Sequence, residues 1–182
     1  MLLRRVAESG RPELDVRWRY FSLAQVNSTV EGWTIWGARE GDPAARGRLA
    51  FRAAEAARRL GAFEPLHWAL LRARHERRLD LEDPAVVEDA AAEAGLDVER
   101  LRRTMADPTI LQPLAHDHEA AVEELGVFGT PSFHLPGRGV AYVRVRPAPE
   151  GQAAVDLFDQ LVRIVADEPY LLEVKRPSPR RA

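Results

Sequence analysis

The chain has 182 residues, 46% hydrophobic and 30% charged, with no cysteine. That suits one globular domain with a normal core, and it excludes a disulfide, a Cys-ligated metal, an iron–sulfur cluster or a thiol nucleophile among these residues. A net charge of −2 excludes a nucleic-acid or anionic-membrane partner recognised by bulk charge.

Leu2, Leu3, Val6 and Ala7 fall on one helical face, and Gly10 reads as a stop. No capping residue precedes them and no continuous apolar stretch marks a signal peptide. Since no later run approaches the ~20 apolar residues of a membrane span, a cytoplasmic, membrane-free protein is expected. In Leu14–Tyr20, Leu14, Val16, Trp18 and Tyr20 alternate with polar residues, which predicts a strand with one buried face. Phe21–Ser28 leads into a loop containing Trp33 and Trp36.

The middle of the chain reads as helical. Asp42-Pro43, Glu64-Pro65, Asp83-Pro84 and Asp107-Pro108 place proline at or near helix starts, and the aspartates are good caps. Leu66, Ala69, Leu70 and Ala73 form one apolar face, and Val87, Ala90, Ala91 and Ala94 another. Gly61 and Gly95 stand where helices end. A short helix over Val98–Met105 precedes a face of Leu111, Leu114, Ala115, Val122 and Leu125, with Pro113 at its start. The arginines at 72, 74, 77 and 78 and at 100, 102 and 103 sit among acids, as on a solvated helix face.

Beyond residue 126 the period returns to two. Ser132–Leu135, the turn Pro136–Gly139 and Val140–Val145 predict a hairpin. A helix over Gln152–Ala166 turns Ala154, Leu157, Phe158, Leu161 and Val165 inward. The tail from Glu168 has an apolar anchor, Tyr170–Val174, before a Pro/Ser/Arg-rich end expected to fray.

The most specific stretch is Leu125-Gly126-Val127, followed by Gly129-Thr130-Pro131-Ser132-Phe133. Proline removes a ladder donor, so it belongs at a strand's first residue, and an X-Pro bond is where a cis peptide is cheap. This loop, with its helical block and following hairpin, resembles the DsbA-like branch of the thioredoxin superfamily. That branch includes the 2-hydroxychromene-2-carboxylate isomerases and kappa-class glutathione transferases. Phe21–Asn27 and Pro169–Arg176 are further similar to the mycothiol-dependent nitroreductase group.

The resemblance implies an α/β thioredoxin-like domain over residues 1–182, with a helical insertion at 42–125 and a tail at 168–182. It implies thiol–disulfide oxidoreduction, or reduction of a small electrophile by mycothiol or glutathione, with no bound prosthetic group. Partners implied are a small-molecule thiol or a protein disulfide. In such proteins a first strand delivers Cys-x-x-Cys to a helix N-terminus, which favours thiolate. Laid on that pattern, Met1 falls inside the first helix, and the strand and cysteines belong upstream.

That strand would lie between Leu14–Tyr20 and the strand after Pro131, and each buried orphan group left without it costs about 1–3 kcal/mol. The 182 residues are therefore expected to be a truncated, inactive form that is unstable, dimerises through its open edge, or fills the gap otherwise. A cysteine-free binding scaffold and a thiol-dependent isomerase are the alternatives.

Gly129, Thr130 and Pro131 are the expected substrate-docking residues. Ser22, Asn27 and Trp33 are candidates to line the cleft, and His134 a candidate beside it. His116 and His118, two apart, and His67 and His75, eight apart, do not share the i, i+4 spacing of a helical metal pair.

Overall fold

The computed structural model describes residues 2–10, 14–145 and 147–175. In chain order they form α1 (Leu2–Glu8), α2 (Leu23–Val26), α3 (Arg48–Arg59), α4 (Phe63–His75), α5 (Pro84–Glu93), α6 (Val98–Met105) and α7 (Gln112–Glu123). β1 (Ser132–Leu135), β2 (Gly139–Tyr142) and α8 (Gln152–Asp167) follow. None of these helices is long and apolar enough to cross a membrane. The chain divides into two compact units, Met1–Arg17 with Val127–Ala182, and Trp18–Gly126.

In the first unit α1 packs on α8, and α8 on the β1–β2 hairpin. Leu2 and Val6 of α1 meet Ala154 and Phe158 of α8, with Leu3, Leu14, Phe133 and Leu161 around them. Ala7, expected on the buried face, is exposed. The antiparallel register sets Ser132 opposite Tyr142, Phe133 opposite Ala141, His134 opposite Val140 and Leu135 opposite Gly139. Phe133 and Leu135 therefore share one face, and Ser132, His134, Val140 and Tyr142 the other. Among the described residues β2 is the only strand paired with β1. A small, open apolar hollow of about 20 Å³ is lined by Phe133, Leu135 and Val143 of the hairpin and Phe158, Leu161 and Val165 of α8. Gly139 is required at the turn: its φ is +146°, and a Cβ there would stand 2.7 Å from the Val165 carbonyl oxygen.

In the second unit α3 packs on α4 and α6, and α4 on α5. Leu66, Ala69, Leu70 and Ala73 are all buried, as are Val87, Ala90, Ala91, Leu101 and Leu114. Asp83 caps α5 by accepting from the Ala85 N–H, and Asp97 caps α6 by accepting from Arg100. Gly61 and Gly95 take φ of +75° and +76° past the ends of α3 and α5. On the exposed faces Arg72 and Arg77 pair with Glu93, and Arg102 with Glu88 and Glu99.

Several expectations are corrected. Leu14–Tyr20 has no ladder partner among the described residues and forms no strand, because alternation supplies one apolar face but not a second strand. Asp42 and Asp107 cap turns instead of helices: Ala44 N–H and Thr109 N–H donate to their carboxylates, and α3 and α7 begin only at Arg48 and Gln112. On α7, Val122 is exposed and Leu125 lies beyond the helix, while Asp117 and His118 are buried in their place. Tyr170, Leu172 and Val174 are 93%, 92% and 77% exposed, so the tail segment is not anchored. The expected frayed end, residues 176–182, lies outside the described residues.

Candidate functional site

Gly129, Thr130, Pro131 and His134 belong to the first unit; Ser22, Asn27 and Trp33 belong to the second. In the first unit the chain passes from Val127 through the loop into β1. The Thr130–Pro131 peptide is cis. The Pro131 carbonyl accepts from Val143 N–H at 3.0 Å, extending the hairpin ladder back to the proline. Ser132 Oγ donates to the Gly129 carbonyl at 2.8 Å. Gly129 is buried, and a Cβ there would meet the Tyr142 ring at 3.4 Å, so the glycine lets that ring lie against the loop backbone. Thr130 and Pro131 are exposed, and no hydrogen bond engages the Thr130 N–H or C=O among the described residues. His134 is exposed on the hairpin face away from Phe133.

In the second unit Ser22 is fully buried and its hydroxyl caps α2, accepting from Gln25 N–H at 3.1 Å. Asn27 closes the same short helix, its Nδ2 donating to the Leu23 carbonyl at 2.8 Å. Trp33 Nε1 donates to Asp42 Oδ2 at 3.0 Å, and that bond, with the Ala44 N–H, holds the Asp42 carboxyl below the usual carboxylate range. Ser22 and Trp33 are thus committed to internal bonds, and Asn27 alone of the three is exposed.

Sequence reasoning did not find the groups that order this region. Gln25 bridges to the Trp33 loop in both directions: its Nε2 donates to Trp33 O, and its Oε1 accepts from Ile35 N–H at 2.8 Å. Asp117 Oδ2 accepts from Tyr20 N–H at 3.0 Å, and His118 Nδ1 accepts from Ser22 N–H at 3.2 Å. That bond places the neutral imidazole's proton on Nε2. The ring lies between Phe21 and Trp36 at 4.7 and 5.8 Å, and burial pushes its pKa down, with Glu119 opposing. Tyr20 Oη donates to Glu55 Oε2 at 3.1 Å; burial raises its pKa, and Arg58, whose guanidinium lies over the ring, works against that. Among the described residues no group of three His, Asp or Glu side chains could hold a metal.

The profile of the Rv2466c-like family, mycothiol-dependent nitroreductase Rv2466c, matches residues 4–176, nearly the whole chain. The chain belongs to the Rv2466c-like family. It is also 26% identical over 167 residues to the uncharacterized protein Rv2286c of Mycobacterium tuberculosis (strain ATCC 25618 / H37Rv), across 91% of this chain and 70% of that protein. Helix-rich secondary structure with a small two-stranded sheet among the described residues is compatible with an α/β thioredoxin-like fold. The family's name implies a low-molecular-weight thiol, mycothiol, as reductant. The residues present do not fit covalent exchange with it, because the 182 residues of this Rv2466c-like chain contain no sulfhydryl.

Proposed function

We propose that this chain is the body of a cytoplasmic, DsbA-like, thiol-dependent oxidoreductase, with residues 42–125 as its helical insertion. It docks a small electrophile or a protein disulfide at Gly129, Thr130 and Pro131, and a low-molecular-weight thiol such as mycothiol is the electron source. The observation that carries this reading is the family match over residues 4–176. The exposed Thr130, whose peptide groups engage no partner among the described residues while Pro131 is tied to Val143, supports a docking role for the loop.

On this reading the cysteine pair arrives on an extended segment outside the 182 residues, which pairs with β1 and covers the hollow beside Phe133 and Leu135. Two features support it: β1 is paired on one side only among the described residues, and the hollow is lined by apolar side chains. The test is the DNA in frame upstream of Met1, followed by thiol–disulfide exchange on the longer chain. An apolar strand leading to Cys-x-x-Cys, with exchange, is the expected result. An in-frame stop just upstream sinks the longer enzyme.

The half-paired β1 favours one second reading, a cysteine-free scaffold that dimerises through that edge. Sedimentation of the 182-residue protein checks it, and a monomer at all concentrations rules it out.

A further inference from the structure

Among the helices of the second unit α2 alone has no buried residue; Leu23 at its start is 48% exposed. A single turn of helix has no stability of its own, so hydrogen bonds at its ends hold it. They run in series. Ser22 N–H donates to His118 Nδ1 at 3.2 Å, Ser22 Oγ accepts from Gln25 N–H, and the Gln25 side chain fastens the loop at Trp33 and Ile35. The first link sets where the capping serine sits.

The neighbouring link on α7 differs in kind. Asp117 Oδ2 accepts from Tyr20 N–H, and Tyr20 is held a second time through its hydroxyl by Glu55. A carboxyl group keeps an accepting oxygen whether or not it carries a proton, whereas an imidazole nitrogen accepts only while unprotonated. A proton on Nδ1 would set it against the Ser22 N–H, donor facing donor, so protonation and that bond exclude each other. His118 is 5% exposed, on a helix seated by the buried Leu114 and Asp117. With α7 so anchored and α2 unburied, α2 is the partner that gives way.

We propose that His118 is a proton-operated latch: neutral, it holds the Ser22–Ile35 segment against α7; protonated, it releases that segment while Tyr20 stays clamped. Of the charges near the ring, Glu119 on α7 favours the proton, and Asp117 is turned to Arg19 and Tyr20. Among the described residues the segments carrying Phe21 and Trp36 bring no charge that acts on it. Burial outweighs Glu119 and keeps the closed ring below its ordinary 6.5. In the opened segment the ring returns toward that value. Release therefore begins as pH falls below about 6.5, and the open fraction rises up to about tenfold per pH unit until the closed ring itself protonates.

Amide hydrogen exchange on the ¹⁵N-labelled 182-residue protein, followed by NMR from pH 7.5 to pH 5, tests the latch. Protection factors of Ser22 and Gln25 should fall several-fold to about tenfold per pH unit below 6.5. Those of Tyr20 and of Leu70 in α4 should fall less; Leu70 reports opening of the whole unit. His118→Asn puts a carbonyl oxygen in the place of Nδ1 and does not titrate, so its Ser22 and Gln25 protection should follow pH only as Leu70 does. His118→Phe has no acceptor and should lower protection of both amides about fivefold at pH 7.5, the loss of one ordinary hydrogen bond, with no further acid release. Parallel loss at Ser22, Gln25, Tyr20 and Leu70 in the parent protein means plain acid unfolding and overturns the latch, even if neither variant folds. A His118→Asn protein that keeps the parent's Ser22 profile overturns it too.

Discussion

His67 offers the sharpest test of how the second unit is held together. Its imidazole is stacked on Phe63 at 5.3 Å and 13°, and lies 4.4 Å from the Trp18 ring and 5.2 Å from that of Trp68. Nε2 is buried without a hydrogen-bond partner among the described residues. The Arg58 guanidinium sits over the neighbouring Phe63 ring at 4.3 Å. Burial first, with nearby positive charge including Arg58 behind it, pushes the pKa from 6.5 down to about 4. The folded state thus holds the ring neutral, while the unfolded chain takes up a proton as soon as pH falls below 6.5. Stability from this group is complete above that pH and is lost progressively as pH falls toward 4. At ~1.4 kcal/mol per pH unit, the loss is about 2 kcal/mol at pH 5 and about 3 kcal/mol by pH 4.

The assay uses a convenience of the sequence. All four tryptophans, Trp18, Trp33, Trp36 and Trp68, lie in Trp18–Gly126, so their fluorescence in urea reports that unit alone. The parent protein should lose about 2 kcal/mol more between pH 7.5 and pH 5 than His67→Phe does, since the variant removes the titration and no bond of Nε2. At pH 7.5 the variant should match or exceed the parent, because burying an unpaired polar atom is unfavourable. Parallel pH profiles for the two proteins would refute the reasoning, since they would mean His67 stays protonatable where it sits.

Three further outcomes are expected. Gly139→Ala places a methyl 2.7 Å from the Val165 carbonyl oxygen at φ +146°; it should destabilise the hairpin by roughly 2–4 kcal/mol. Gly137→Ala, with φ +71° and nothing within 4 Å, should cost about 1 kcal/mol; similar hydrogen-exchange protection of β1 and β2 in both variants would contradict this. Asp117→Ala strands the Tyr20 N–H and should cost the second unit about 2–3 kcal/mol in urea. The Arg19 contact adds little because that side chain is 66% exposed, so Arg19→Ala should be near neutral, and a larger effect there than at Asp117 would reverse the assignment. The 182-residue protein should show no insulin-disulfide reduction above the reductant-only rate, since it has no cysteine; measurable catalysis would demand a chemistry other than thiol exchange.

The helical block was legible because its information is local. Asp83-Pro84 caps within two residues of itself, and the face through Leu66, Ala69, Leu70 and Ala73 buries as its spacing requires. Asp42 and Asp107 misled for a related reason: an aspartate's carboxylate caps a turn as readily as a helix, and the side chain cannot signal which follows. The clamp on the segment before α2 was not legible at all. Asp117 and His118 reach Tyr20 and Ser22 across 97 and 96 residues of sequence, and on a helix carrying Leu111, Leu114 and Val122 they read as the polar side. Only the fold shows that their acceptors serve the N–H edge of a segment that has no strand beside it.

That clamp also accounts for the sheet. Leu14–Tyr20 alternates apolar and polar residues yet is unpaired among the described residues, whereas Ser132–Leu135, with the same alternation over a shorter run, is paired. The difference is the turn: Pro136–Gly139 returns the chain onto β1 within four residues, with Arg138 N–H closing on the Leu135 carbonyl at 2.9 Å. Period-two patterning shows that a segment can pair; a partner within reach decides whether it does. Leu14–Tyr20 lacks one among the described residues; its Tyr20 N–H, like that of Ser22 just beyond it, goes to a side chain of α7 instead. If an apolar strand is supplied alongside β1, ladder formation beyond the hairpin should follow at that edge. Side-chain acceptors at Asp117 and His118 should persist, because a helix, and not a sheet, supplies them.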